Sequence, residues 1–142
     1  MSLEILVIDG QGGRMGRMLV EALRSGLPAA HITAVGTNST ATESMRKGGA
    51  DQCATGENPV VVCSRRAHII TGPVGILMAD ALLGEVTPRI AAAVGQSDAE
   101  KVLVPVNRCR CRIAGVQELS LSELIQDAVH QIGQFAKENK LC

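Results

Sequence analysis

Aromatic residues are nearly absent from this chain: Phe135 stands alone among 142 residues, with no Trp or Tyr. Stacking on unpaired bases therefore has no side chains to carry it. An excess of charge is missing too, since 14 Lys and Arg balance 14 Asp and Glu. No net field draws the protein to nucleic acid or to an anionic lipid surface, and neither is expected as a partner. No apolar run approaches the ~20 residues of a membrane span. The first apolar run contains Glu4 and meets Gly10 too soon for a secretion signal, so a cytoplasmic protein without membrane attachment is expected. The five cysteines (Cys53, Cys63, Cys109, Cys111 and Cys142) are odd in number and form no CxxC pair. They are expected to be thiols, and no metal site is expected.

What remains is 46% apolar and aliphatic, made of Val, Ile, Leu, Ala and Met. Such residues suit helices packed on parallel strands buried on both faces. One domain spanning residues 1–142 is expected from the length. Leu3 to Ile8 reads as a strand, followed by the glycine turn Gly10-Gln11-Gly12-Gly13 and then by Met15, Leu19, Val20 and Leu23 at helical spacing. His31 to Val35 supplies a second strand, completing a βαβ unit with a right-handed crossover.

Further along, a helix from Thr40 to Arg46 and a short strand near Gln52 to Ala54 are expected. Asn58 reads as the cap of a helix with Pro59 in first position. His68 to Thr71 and Lys101 to Val106 read as strands, with helices from Ile76 to Leu83 and from Pro88 to Val94. Arg110 to Val116 is a candidate antiparallel edge strand, its cysteines inward with Ile113 and its arginines outward. The last helix opens on a capping box, Ser120 to Glu123, and carries Leu121, Leu124, Ile125, Ala128, Val129, Ile132 and Phe135 on one face. The fold class is α/β: a mostly parallel, doubly wound sheet with helices on both faces.

Gly10, Gly13 and Gly16 form a Gly-x-x-Gly-x-x-Gly pattern between strand and helix. Free amides at a helix N-terminus, with no side chain in the way, hold phosphate. The cofactor-binding candidates are thus Gly10, Gln11, Gly12, Gly13, Arg14, Met15 and Gly16. The ends of the other strands join them: Thr37 and Asn38, and Gly72, Pro73 and Val74 as a second amide clamp. Glu57, Asn58, Asn107 and Arg108 are the candidates for holding a substrate. Asp9 opposes a phosphate by its charge unless it bonds nearby amides or a cation. Thr37 and Asn38 stand where an Asp or Glu would hold an adenine ribose, leaving NADP and NAD both open as the cofactor. The histidines are not placed for acid or base work, His31 and His68 falling at strand starts and His130 on a polar helix face.

Gly10 to Arg17 resembles the phosphate loop of dihydrodipicolinate reductases, which use NADPH or NADH; the substrate domain of that family has no counterpart here. Gly72-Pro73-Val74-Gly75 resembles the Gly-Pro-x-Gly loop of methylglyoxal synthases, but Ile76-Leu77-Met78 replaces their Gly-Gly-Asp and its carboxylate base. Over most of its length the chain resembles a family of small bacterial Rossmann-like proteins of unknown function. The segments that carry this likeness are Ile8 to Gly13, Gly36 to Asn38, Ala54 to Asn58, Gly72 to Gly75 and Pro105 to Cys109. It implies the fold and no activity. Three functions are compatible with the residues: binding of a nucleotide or dinucleotide at the first turn, a small lyase or transferase acting on a phosphorylated metabolite, and a non-catalytic or regulatory subunit. A homo-oligomer is expected, closing an otherwise open site through the Val102 to Val106 strand or the helix from Ile76.

Overall fold

The computed structural model describes residues 2–106 and 110–141. Ile5, Leu6, Val7 and Ile8 are all buried, so β1 (Glu4–Asp9) has two apolar faces and lies at the centre of a sheet. Helix α1 (Arg14–Gly26) follows, then β2 (His31–Gly36), α2 (Ser39–Lys47), β3 (Gln52–Thr55), α3 (Glu57–Ser64) and β4 (Ile69–Pro73). A 3-10 turn at Val74–Leu77 leads into an irregular loop. Then come α4 (Pro88–Gln96), β5 (Glu100–Val104) and α5 (Leu121–Glu138). The five strands are parallel, in the order β3-β2-β1-β4-β5.

Alternation along β1 divides the core in two. Ile5 and Val7 pack with Leu19, Val20 and Leu23 of α1, Met45 of α2, and Ile125, Ala128, Ile132 and Ala136 of α5. Leu6 and Ile8 pack with Val60 of α3, Ile76, and Ile90 and Val94 of α4 on the other face. Each fully buried Ile, Leu or Val contributes ~1.5–3 kcal/mol. Strand order reverses between β1 and its neighbour β4, and a ligand crevice in an open α/β sheet lies at such a point, beyond the carboxyl ends of the strands.

Three local expectations are corrected. First, α3 is capped by Gly56, with Asn58 one residue inside the helix; Gly56 takes φ 109, which the turn needs, and Pro59 still falls in the first turn. Second, Ile76 to Leu83 is not a helix. Ile76, Ala81, Leu82 and Val86 all enter the core, and at 100° per residue a helix would spread them around its circumference, so the chain winds irregularly to bury them all. Ile76 is therefore core, not a subunit face. Third, residues 110–116 form no strand. Arg110 and Gly115 take left-handed φ values of 67° and 81°, which a strand does not allow, and Cys111 is exposed. Asn107, Arg108 and Cys109 lie outside the described residues. The capping box of α5 is present: Ser120 N donates to Glu123 Oε1 at 3.0 Å, and Glu123 N to Ser120 Oγ at 3.1 Å. Among the described residues no helix is long and apolar enough to cross a membrane.

Candidate functional site

The end of β1 is tied to the start of α1 by one carboxylate. Asp9 Oδ1 accepts from Gly10 N at 2.8 Å and Oδ2 from Gly16 N at 2.7 Å, and the residue is 4% exposed. The Asp9 carboxylate is thus bonded to the amides on both sides of the glycine turn. Burial pushes its carboxyl above the usual aspartate range, the two amides pull it down, and the charge of Glu85 adds to the rise.

Gly13 N closes the turn on Gly10 O at 2.9 Å. Gly13 has φ 73, and a Cβ there would meet Ala41 Cα at 2.6 Å, so α1 and α2 touch at their N-termini. Gly12 has open space around its Cα. Among the described residues, the amides of Gly12, Arg14 and Met15 have no hydrogen-bond acceptor. The Met15 side chain is buried in the core, so only its amide serves the turn.

A second helix N-terminus faces the same opening. Asn38 caps α2, its Oδ1 accepting from Ala41 N at 2.9 Å, and leaves Ser39 and Thr40 exposed in the first turn. Gly12, Arg17, Ser39, Thr40, Ser44 and Lys47, with Glu43, line a groove of about 560 Å³ between the helices. Glu43 is engaged by Arg46 Nη2 at 2.6 Å and Nε at 2.9 Å, and this bonding holds its carboxyl below the usual range. Arg17 lies 3.6 Å from Glu21. The groove thus offers hydroxyls, two helix N-termini and a pair of cations, the elements of an anion site.

Glu85 is the residue that sequence reading missed. It reaches across the carboxyl edge from the loop after the 3-10 turn, two residues beyond the helix expected from Ile76 to Leu83. Its Oε1 accepts from Thr37 Oγ1 at 2.6 Å, Gln11 N at 2.8 Å and Asn38 Nδ2 at 2.8 Å, and Asn38 Nδ2 also donates to Gln11 O at 2.9 Å. Burial raises the Glu85 carboxyl, but these three donors outweigh it and leave the group below its ordinary value. The loop that delivers it is strained: Asp80, Leu82 and Leu83 have φ of 68°, 56° and 57°. Each such residue costs ~1–2 kcal/mol. Leu82 is buried against Gly10, whereas Leu83 is 96% exposed.

The remaining candidates are dispersed. Gly72 and Pro73 are buried in β4, where a Cβ on Gly72 would strike Ile8 O; Val74 lines a separate groove with Lys101, Leu103 and Leu124. Glu57 is half-buried, accepting from Thr87 Oγ1 at 2.6 Å and lying 3.9 Å from Arg89; Asn58 is exposed nearby. His31 pairs with Glu4 at 2.7 Å, and His68 Nδ1 accepts from Glu4 N, both at the amino edge. No three His, Cys, Asp or Glu side chains among the described residues gather as a metal site.

The fold is shared with solved structures. Over 91% of this chain and 39% of the other, at 14% identity and a TM-score of 0.52, it resembles prephenate dehydrogenase from A. aeolicus, solved with hydroxyphenyl propionate and NAD+. The chain therefore spans well under half of that protein. It is also similar to a dodecameric FMN-dependent UbiX-like decarboxylase from Escherichia coli O157:H7, at 20% identity over 92% of this chain and 75% of that one, with a TM-score of 0.46. Among curated proteins none matches it in sequence. The likeness to the dehydrogenase shows a Rossmann-like fold, and a family match over residues 4–137 completes the assignment: the chain belongs to the family described as a domain of unknown function, DUF3842.

Proposed function

We propose that this protein binds a nucleotide or dinucleotide, NAD or NADP foremost, with a phosphate on the amides of Gly12, Arg14 and Met15. The observation that carries the reading is the meeting of two helix N-termini, α1 and α2, at one groove that also holds Arg17 and Lys47. Backbone amides and basic side chains together favour a phosphate over a neutral ligand. The turn after β1, whose Gly12 borders the groove, stands at the strand-order switch of a fold that a dehydrogenase solved with NAD+ also has, which supports a nucleotide over a bare anion. A homo-oligomer that closes the groove, in a cytoplasmic protein, belongs to the same reading.

The alternative of a lyase or transferase gains less support, because its carboxylate candidate, Glu57, is already engaged by Thr87 and Arg89. Titration calorimetry against NAD, NADP, ATP, AMP and FAD tests the proposal. One of them should bind, and Gly12→Asp should weaken it at least tenfold, equivalent to ~1.4 kcal/mol, without lowering Tm, since Gly12 borders open space. Unchanged affinity in a folded Gly12→Asp protein would refute the assigned position.

A further inference from the structure

We propose that Glu85 is the acceptor for the ribose diol of the bound nucleotide, so that the site prefers ribonucleotides to 2′-deoxy and 2′-phosphorylated forms. This inference rests on the nucleotide reading above and narrows it to a ligand class. Folds of this strand order that hold a nucleotide place an acidic residue at the carboxyl end of β2, where it accepts from ribose hydroxyls. Here β2 runs out into Gly36, Thr37 and Asn38, none of them acidic.

The missing carboxylate arrives from elsewhere. Glu85, 47 residues beyond Asn38, is fixed to the end of β2 by Thr37 Oγ1 at 2.6 Å and Asn38 Nδ2 at 2.8 Å, and to the glycine turn by Gln11 N at 2.8 Å. All three bonds fall on Oε1. Among the described residues none donates to Oε2, which keeps its lone pairs for a diol. A 2′-phosphate at the same place would meet a like charge. Gln11, whose amide Glu85 holds, immediately precedes Gly12, whose amide is open to a phosphate; at ~3.8 Å between successive Cα atoms, both positions lie within the span of one nucleotide.

The cost of bringing Glu85 there also argues for a role. Three non-glycine residues of its loop sit in the left-handed region, and Leu83, at 96% exposure, makes no packing contact that would offset its strain. Strain of this kind persists where the surroundings impose it, and it concentrates at binding sites.

The test is calorimetry of the wild-type chain with NAD against NADP, and with the four ribonucleoside 5′-monophosphates against their 2′-deoxy counterparts. The expected result is at least tenfold tighter binding of the ribo forms and of NAD, with Glu85→Gln bringing both ratios close to one. Equal affinity for ribo and deoxy forms overturns the role of Glu85 while leaving nucleotide binding standing. Tighter NAD binding by Glu85→Gln than by wild type overturns it as well, making the carboxylate a bar across the site. Failure of every nucleotide to bind removes both readings. The wild-type ratios need no variant, so the outcome does not depend on whether Glu85→Gln folds.

Discussion

At Gly16 there is no room for a methyl group: a Cβ would lie 2.6 Å from Met45 Sδ and 2.7 Å from Asp9 Cβ. Gly16→Ala should therefore destabilise the fold by ~1–3 kcal/mol in urea denaturation, whereas Gly12→Ala should change stability by less than about 0.5 kcal/mol. Equal effects would contradict the packing described for the turn. The pattern Gly10, Gly13, Gly16 was legible in the sequence, but its division of labour was not. Whether a glycine serves a ligand or a neighbouring helix depends on Ala41 and Met45, which are distant in sequence.

Two carboxylates at this site respond to pH with opposite sign. Glu85 is held below its ordinary 4.5, so the stability it contributes is present above that pH and is lost as pH falls through the lowered value. Asp9 is raised above 3.8, so its ionised form costs stability above the raised value, and the cost fades on acidification towards 3.8. The stability difference between wild type and Glu85→Gln should be ~1 kcal/mol at pH 7 and should shrink well below pH 4.5. A difference that does not vary with pH would show that Oε1 is not held as a carboxylate.

The local signals of α5 match its structure, whereas the cap of α3 moved to Gly56 and the path of the loop after the 3-10 turn is set by tertiary burial. The capping box at Ser120 and the 3.6-residue apolar period of α5 are local, and Ser120→Ala should cost ~1 kcal/mol of stability, read from thermal melts. No loss would mean that the box contributes nothing in solution. The loop after the 3-10 turn has apolar residues in helix-like density, but the core on the α3 and α4 face of the sheet draws them in at spacings no helix matches, a path that carries Glu85 to the glycine turn. Leu83 carries the cost of that path. Leu83→Gly relieves left-handed strain of ~1–2 kcal/mol against a glycine entropy cost of ~0.5–1 kcal/mol, so the variant should be as stable as wild type or slightly more so. A loss above about 1 kcal/mol would mean that the Leu83 side chain is buried in solution, against another copy of the chain.

At the scale of the molecule, the continuous apolar β1, the strand-turn-helix unit and the parallel sheet all followed from apolar patterning, because a strand buried on both faces leaves a plain signature. The doubly wound form was legible as well, but the place of its reversal, between β1 and β4, was not, since that depends on which face each crossover helix covers. At the carboxyl edge the turn after β1, the cap of α2 and the loop that follows β4 meet. The most direct test is a 15N-labelled amide spectrum of the protein titrated with NAD and AMP. With a phosphate at the glycine turn, the largest shifts fall on Gly12, Arg14, Met15, Ser39 and Thr40, with smaller ones on Gln11 and Thr37. Shifts gathered instead at the amino edge around His31 and Cys63, or none at saturating nucleotide, would contradict that placement.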